Sequence, residues 1–219
     1  MRNKRRFKKE KSKVYMVIQE HINKNIKEYS IAVLVFLIGI IIGIMLINSS
    51  NTENKNNISG YINEFIQSIK NKEYEIDEKK LLIKSILSNI KIAGLIWISG
   101  STLIGIPLIY GALGYKGICI GYSISAIIAT LPKGKGLIFA LSSMLPQNVI
   151  VVPCILALCV SSIKMHNAIM QKQKKESIKS EIYRHSIFSL IMVIGLCLSS
   201  LIEIFFSTSI TSNIIMNFI

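Results

Sequence analysis

Apolar residues run along this chain in long blocks rather than alternating with polar ones. Near-continuous stretches cover about Ser30 to Ile47, Asn89 to Ala112, Ile118 to Leu131, Gly136 to Ile163 and Ile187 to Phe206. A helix that crosses a bilayer needs about 20 predominantly apolar residues. The pattern therefore predicts an all-α, polytopic membrane protein with about five transmembrane helices. The third block has only 14 residues, so it reads as a tilted span or one arm of a re-entrant pair. The fourth contains Leu145-Pro146-Gln147-Asn148-Val149-Ile150-Val151-Val152-Pro153. A proline removes a backbone donor and blocks a helical hydrogen bond, and hydrocarbon supplies no substitute. That segment is expected to be broken or re-entrant, with Gln147 and Asn148 satisfying the backbone groups the break frees.

Between the first two blocks the pattern changes. Ile58, Tyr61, Ile62, Phe65, Ile66 and Ile69 recur at helical spacing, an amphipathic stripe that can lie on the bundle or offer a docking face to a partner. Asp77 is placed to cap a helix running on into the second span. Gly39-x-x-x-Gly43 and Gly117-x-x-x-Gly121 allow close helix approach. The same pattern serves homo-oligomers, so a second copy of the chain is among the partners the sequence allows. Gly111, Gly114 and Gly117, around Tyr110 and Tyr115, predict a tight turn, and Pro107 predicts a kink in the second span.

Charge orients the array. The chain has 219 residues, 51% hydrophobic, with 26 Lys+Arg against 12 Asp+Glu; its mean hydropathy of +0.49 is too high for a soluble domain. Ten of the Lys/Arg residues precede the first span. With the N terminus inside, the cytoplasmic segments carry 17 Lys/Arg and the outer ones 8, which by the positive-inside rule favours N-in, C-out. The Lys133/Lys135 pair, placed outside, is the exception. Five parts follow: a basic cytoplasmic lead (1–29), a first span (30–47), an extracytoplasmic amphipathic segment (48–88), a four-segment membrane bundle (89–206) and an extracytoplasmic tail (207–219).

Candidate chemistry is sparse. Cys119, Cys154, Cys159 and Cys197 lie in apolar stretches with no CxxC pair, and His21, His166 and His185 are scattered along the sequence. Neither metal, cofactor nor disulfide framework is expected. Lys133-Gly134-Lys135-Gly136 lacks the spacing of a phosphate loop. The basic lead carries only Phe7 and Tyr15 as aromatics; it reads as a topology determinant attracted to anionic lipid, not as a nucleic-acid site. Glu203, the one acid well inside a span, is either a functional group or a carboxylate reaching the interface. No catalytic constellation is visible, so the chain is expected to be no enzyme.

Leu145-Pro146-Gln147-Asn148 followed by Pro153 resembles the signature region of the stage II sporulation protein M family. So does the order of features: basic lead, one span, outer amphipathic segment, then a compact set of spans with a glycine-rich stretch near Tyr110–Gly121. Many relatives outside spore formers carry a His-Gly pair where Gln147 and Asn148 stand, so this chain is similar to the spore-former branch. The resemblance implies a multi-pass protein of the cell membrane, made during endospore formation, on the mother-cell side of the septum. It implies a scaffold that anchors two peptidoglycan hydrolases, stage II sporulation proteins D and P, for septal wall thinning and forespore engulfment. The alternative from another class is a membrane subunit of an ATPase-driven or small-solute transporter, for which a broken mid-membrane helix is the usual mark.

Overall fold

The computed structural model describes residues 13–71, 77–131, 134–171, 175–207 and 213–216. The basic residues before Lys13, Lys133, and all of the tail after Ser207 except 213–216 lie outside the described residues. Within them the chain is helical, with no strand. Two short helices flank the membrane array: α1 (Lys13–Lys24) before it and α3 (Thr52–Lys70) after the first span. Five helices are long and apolar enough to cross a membrane: α2 (Ile26–Asn48), α4 (Glu78–Ser99), α5 (Gly105–Thr130), α6 (Lys135–Met170) and α7 (Lys175–Ile202). The last continues as a π-helical turn, Glu203–Ser207.

Helix α2 is apolar on every side. Ala32, Phe36, Gly39, Gly43 and Ile47 are buried, while Leu34, Leu37, Ile41 and Met45 are exposed. That distribution suits a helix whose outer face meets hydrocarbon. Its inner face packs on α5 through glycine. Gly39 lies on Gly114, Gly43 on Ile118 and Tyr122, Gly117 on Phe36, and Gly121 on Ile40. The numbers rise together, so the two helices run parallel. The glycines expected to form a seam do so, with each GxxxG pattern as the other's partner.

The neighbouring pairs run antiparallel. Lys91 and Leu95 of α4 share a groove with Tyr115 and Leu108 of α5. Gly136 of α6 meets Ile127 and Ile128 of α5. Cys154 and Ser161 of α6 meet Gly195 and His185 of α7. The five spans thus alternate in direction. One end of the bundle holds α1, the α4–α5 turn and the start of α7; the far end holds α3, the α5–α6 turn and Glu203. The core runs along α6, where Val151, Ile155, Leu158, Cys159 and Ile163 are sealed against Phe36, Ile96, Ile109, Leu113 and Leu196.

Three expectations are corrected. The fourth segment is not broken: α6 is one α-helix of 36 residues with Pro146 and Pro153 inside it. The prolines deprive the Ser142 and Val149 carbonyls of their usual donors. Side chains add bonds in the neighbouring turns, Ser143 Oγ to the Phe139 carbonyl at 2.7 Å and Asn148 Nδ2 to the Met144 carbonyl at 2.8 Å. Neighbouring helices packed against the inner face make such prolines tolerable in membrane helices.

Nor is there a turn at Gly111–Gly117, or a short third span. These glycines lie inside α5, a continuous 26-residue helix. The chain reverses earlier, at Gly100-Ser101-Thr102-Leu103-Ile104, where the Thr102 hydroxyl caps the Ser99 carbonyl at 2.9 Å. The boundary between the second and third spans therefore moves from about 113–117 to 100–104. Finally, Pro107 kinks nothing. It sits in the first turn of α5, where a backbone N–H has no helical acceptor in any case. The predicted Asp77 cap is present: Asp77 Oδ1 accepts from the Lys80 amide at 3.0 Å.

Candidate polar site inside the bundle

The far half of the bundle contains a polar cluster built by three helices. Ser85 and Asn89 stand one turn apart on α4, Gln147 follows Pro146 on α6, and Ser200 and Glu203 close α7. Glu203 is the hub. Gln147 Nε2 donates to Glu203 Oε2 at 2.6 Å, and the Ser85 hydroxyl donates to the same oxygen. Ser85 Oγ is 2.9 Å from Ser200 Oγ, and Asn89 Nδ2 donates to Ser200 Oγ at 3.1 Å. Each hydroxyl carries one proton. The Ser200 hydroxyl also faces the Leu196 carbonyl at 3.3 Å; Asn89, Ser200 and Ser85 form a hydrogen-bonded chain that ends at the carboxylate, and Gln147 adds a second approach.

Local structure explains why Glu203 can be reached. It opens the π-helical turn, an i→i+5 winding that shifts side chains out of their α-helical register and recurs at functional sites. Asn89 and Ser200 are fully buried; Ser85, Gln147 and Glu203 are partly so. In a low-dielectric interior a charge-assisted hydrogen bond is about twice as strong as a neutral one, so the cluster ties α4, α6 and α7 together at one level. It can also present carboxylate, amide and hydroxyl oxygens to a cation or proton. Among the described residues, no three His, Cys, Asp or Glu side chains converge as a metal site would need.

The sequence flagged Glu203, Gln147 and Asn148 but gave the amides another role. Gln147 bonds across to Glu203, not to the backbone, while Asn148 bonds the Met144 carbonyl. Neither reaches the carbonyls that the prolines free. Ser85, Asn89 and Ser200 were missed. Their signal is spacing: Ser85/Asn89 at i, i+4 and Ser200/Glu203 at i, i+3 put each pair on one helix face. Lys116, within the stretch expected to turn, is half-buried at the middle of α5.

The histidines, scattered in sequence, gather at the opposite end. His21 of α1 stacks on Phe188 of α7, ring centroids 5.3 Å apart. His185 Nδ1 is 2.8 Å from Ser161 Oγ. His166 lies against the start of α5, where a Cβ at Gly105 would come within 2.6 Å of its Nδ1. The four cysteines are free thiols.

The amphipathic stripe of α3 is divided. Ile66 and Ile69 are buried in a second apolar cluster with Leu131, Phe139, Ile214 and Ile215, with Ile62 packed beside it. Ile58 is half-buried. Only Tyr61 and Phe65 are exposed, at 75% and 42%. The face open to a partner is thus narrower than the expected six residues. Of the three glycines assigned to the turn, Gly114 and Gly117 serve the α2 seam, and Gly111 lines the groove beside Lys91, Leu95 and Tyr115.

Set against known proteins, residues 32–208 match the model of one family, described as stage II sporulation protein M. The match takes in α2 from Ala32 onward, α3, the other four spans and the polar cluster. Comparison with curated proteins and with solved structures gives no match.

Proposed function

Since the chain belongs to the stage II sporulation protein M family, we propose that it serves endospore formation as a membrane scaffold without hydrolytic activity of its own. In this reading it anchors and positions peptidoglycan hydrolases, stage II sporulation proteins D and P, for septal wall thinning and forespore engulfment. Its place would be the mother-cell membrane at the septum, with the N terminus in the cytoplasm and α3 on the outer side. The lysine and arginine bias supports that orientation.

The observation that carries the reading is the mounting of α3. Ile66 and Ile69 fix this helix to the bundle's far end, while Tyr61 and Phe65, one turn apart, stay on its outer face. A rigid helix displaying an aromatic pair suits recruitment, because aromatic anchors bury much area at small entropic cost. The polar cluster has a supporting role: it holds α4, α6 and α7 in register beneath that platform.

The test is a mild-detergent pull-down of the tagged protein from sporulating cells, with mass spectrometry of what co-purifies. Wall hydrolases with extracytoplasmic domains are the expected catch. Recovery of a cytoplasmic ATPase without hydrolases would overturn the scaffold reading and turn attention to transport.

A further inference from the structure

The end of the bundle that carries α1 has a pocket of about 240 Å3 between α1, α6 and α7, lined by Glu20, His21, Lys24, Lys164, Glu181 and Arg184 among others. Its charges do not balance. Lys24 is paired with Glu20 at 2.7 Å, and Arg184 with Glu181 through two contacts, at 2.7 and 2.5 Å. Lys164 is the cation left without a direct partner: among the described residues it has no ion pair and no hydrogen bond, and Glu181 and Glu28 act on it only from a distance. Beside it, His21 Nε2 is buried without a partner. An ammonium without a direct ion pair thus shares one cavity with an orphaned ring nitrogen, whose lack of a partner is costly, and an anion would satisfy both.

The level of the pocket narrows the anion's chemistry. Helix α6 rises about 54 Å at 1.5 Å per residue, against a hydrocarbon core of about 30 Å. Lys164 lies in its last two turns, and His21 precedes the first residue of α2. The pocket therefore sits where the helices leave the hydrocarbon, at the depth of headgroup phosphates. Compact lysine ammonium is a natural phosphate partner.

We propose that this pocket binds a phosphate group, with the Lys164 ammonium as counter-charge and His21 Nε2 as hydrogen-bond donor. Two sources share this chemistry: the headgroup of an anionic phospholipid, or a soluble phosphate compound arriving from the aqueous side. The site is separate from the α3 platform and does not rest on the scaffold reading.

The protonation of His21 provides a direct readout. The titratable and charged groups around it are Glu20 and Lys24 of α1, Glu28 and Tyr29 of α2, Lys164 of α6, and Glu181, Arg184 and His185 of α7. Burial, and then the positive charges of Lys164 and Arg184, push His21 below its ordinary value. A bound phosphate offsets that repulsion and raises it.

The experiment uses the full chain in neutral detergent, with the His21 ring resonance assigned by its loss in His21→Gln. His21 is titrated alone, with phosphatidylglycerol, and with inorganic phosphate. At least one probe is expected to raise the midpoint, and Lys164→Gln should weaken binding of that probe about tenfold, with Lys164→Arg restoring most of it. An effect of phosphatidylglycerol alone assigns the site to lipid; an equal effect of inorganic phosphate assigns it to a soluble ligand. A wild-type His21 midpoint unmoved by either probe overturns the proposal without recourse to any variant. So does equal probe binding by wild type and a folded Lys164→Gln.

Discussion

A Cβ on Gly43 would lie 2.7 Å from the backbone nitrogen of Tyr122, so α2 and α5 touch backbone to backbone. Gly117 repeats the relationship from the other side, with a Cβ 2.5 Å from the Phe36 carbonyl oxygen. Backbone cannot swing aside as a side-chain tip can. Gly43→Ala and Gly117→Ala are each expected to destabilise the protein by at least about 1–3 kcal/mol, seen as lower thermal stability in detergent. Gly60 has nothing within 4 Å of its Cβ position. Gly60→Ala should therefore stabilise α3 by roughly 0.5–1 kcal/mol. Equal tolerance of all three would remove the seam as an explanation of the α2–α5 contact.

The same glycines show what the sequence could tell and where it stopped. Glycine serves both turns and close helix contacts, and the choice at Gly114 and Gly117 is made by α2, some 75 residues away in sequence. Local reading therefore put a turn inside α5 and passed over Gly100–Ile104, whose Gly-Ser-Thr run carried the better signal. Pro146 and Pro153 misled for a related reason. The missing donor is a local fact, but whether a helix continues past it depends on the neighbours packed around it. Long apolar blocks, the Asp77 cap and the Ile66/Ile69 periodicity were legible because each rests on residues within a few turns. Glu203 could be suspected but not understood: its partners Gln147 and Ser85 are 56 and 118 positions away.

Gln147 and Asn148 should separate under mutation. Gln147→Leu removes one of the two donors to Glu203, leaving a carboxylate inside the bundle with half its support, at an expected cost of about 1–3 kcal/mol. Asn148→Leu removes only a side-chain bond to the Met144 carbonyl on its own helix and should cost less. In a double-mutant cycle, Gln147→Leu with Glu203→Gln should show a coupling of roughly 0.5–3 kcal/mol, whereas Asn148→Leu with Glu203→Gln should be additive. Additivity in both cycles would show that the Gln147–Glu203 bond contributes nothing to stability.

Acid should loosen the junction between α1 and the bundle. His21 is held below its ordinary value of 6.5 by burial first and by Lys164 and Arg184 next. In the unfolded chain the imidazole takes up its proton as pH falls through about 6.5, while the folded protein resists. The unfolded state then binds more protons, so stability falls with pH in the window below 6.5. His21→Phe keeps a ring against Phe188 and removes the titration. Thermal unfolding at pH 7.5 and 5.5 should show a larger acid loss for wild type than for His21→Phe. The difference isolates this residue, since the remaining groups titrate in both proteins.

Within α3, the two halves of one apolar stripe should fail in different ways. Ile66 and Ile69 pack against Leu131, Phe139, Ile214 and Ile215, so Ile66→Ala with Ile69→Ala should cost several kcal/mol and lower the amount of protein in the membrane. Tyr61 and Phe65 are exposed, and exposed substitutions usually stay within about 0.5 kcal/mol. Tyr61→Ser with Phe65→Ser should therefore leave membrane accumulation and melting temperature unchanged. If this pair is the recruiting surface, the variant loses its co-purifying wall hydrolases and arrests engulfment at wild-type protein level. Quantitative immunoblotting beside the pull-down makes the comparison. Full hydrolase recovery by the Tyr61/Phe65 variant would locate the partner surface away from α3, and loss of recovery only in step with loss of protein would assign the whole stripe to folding.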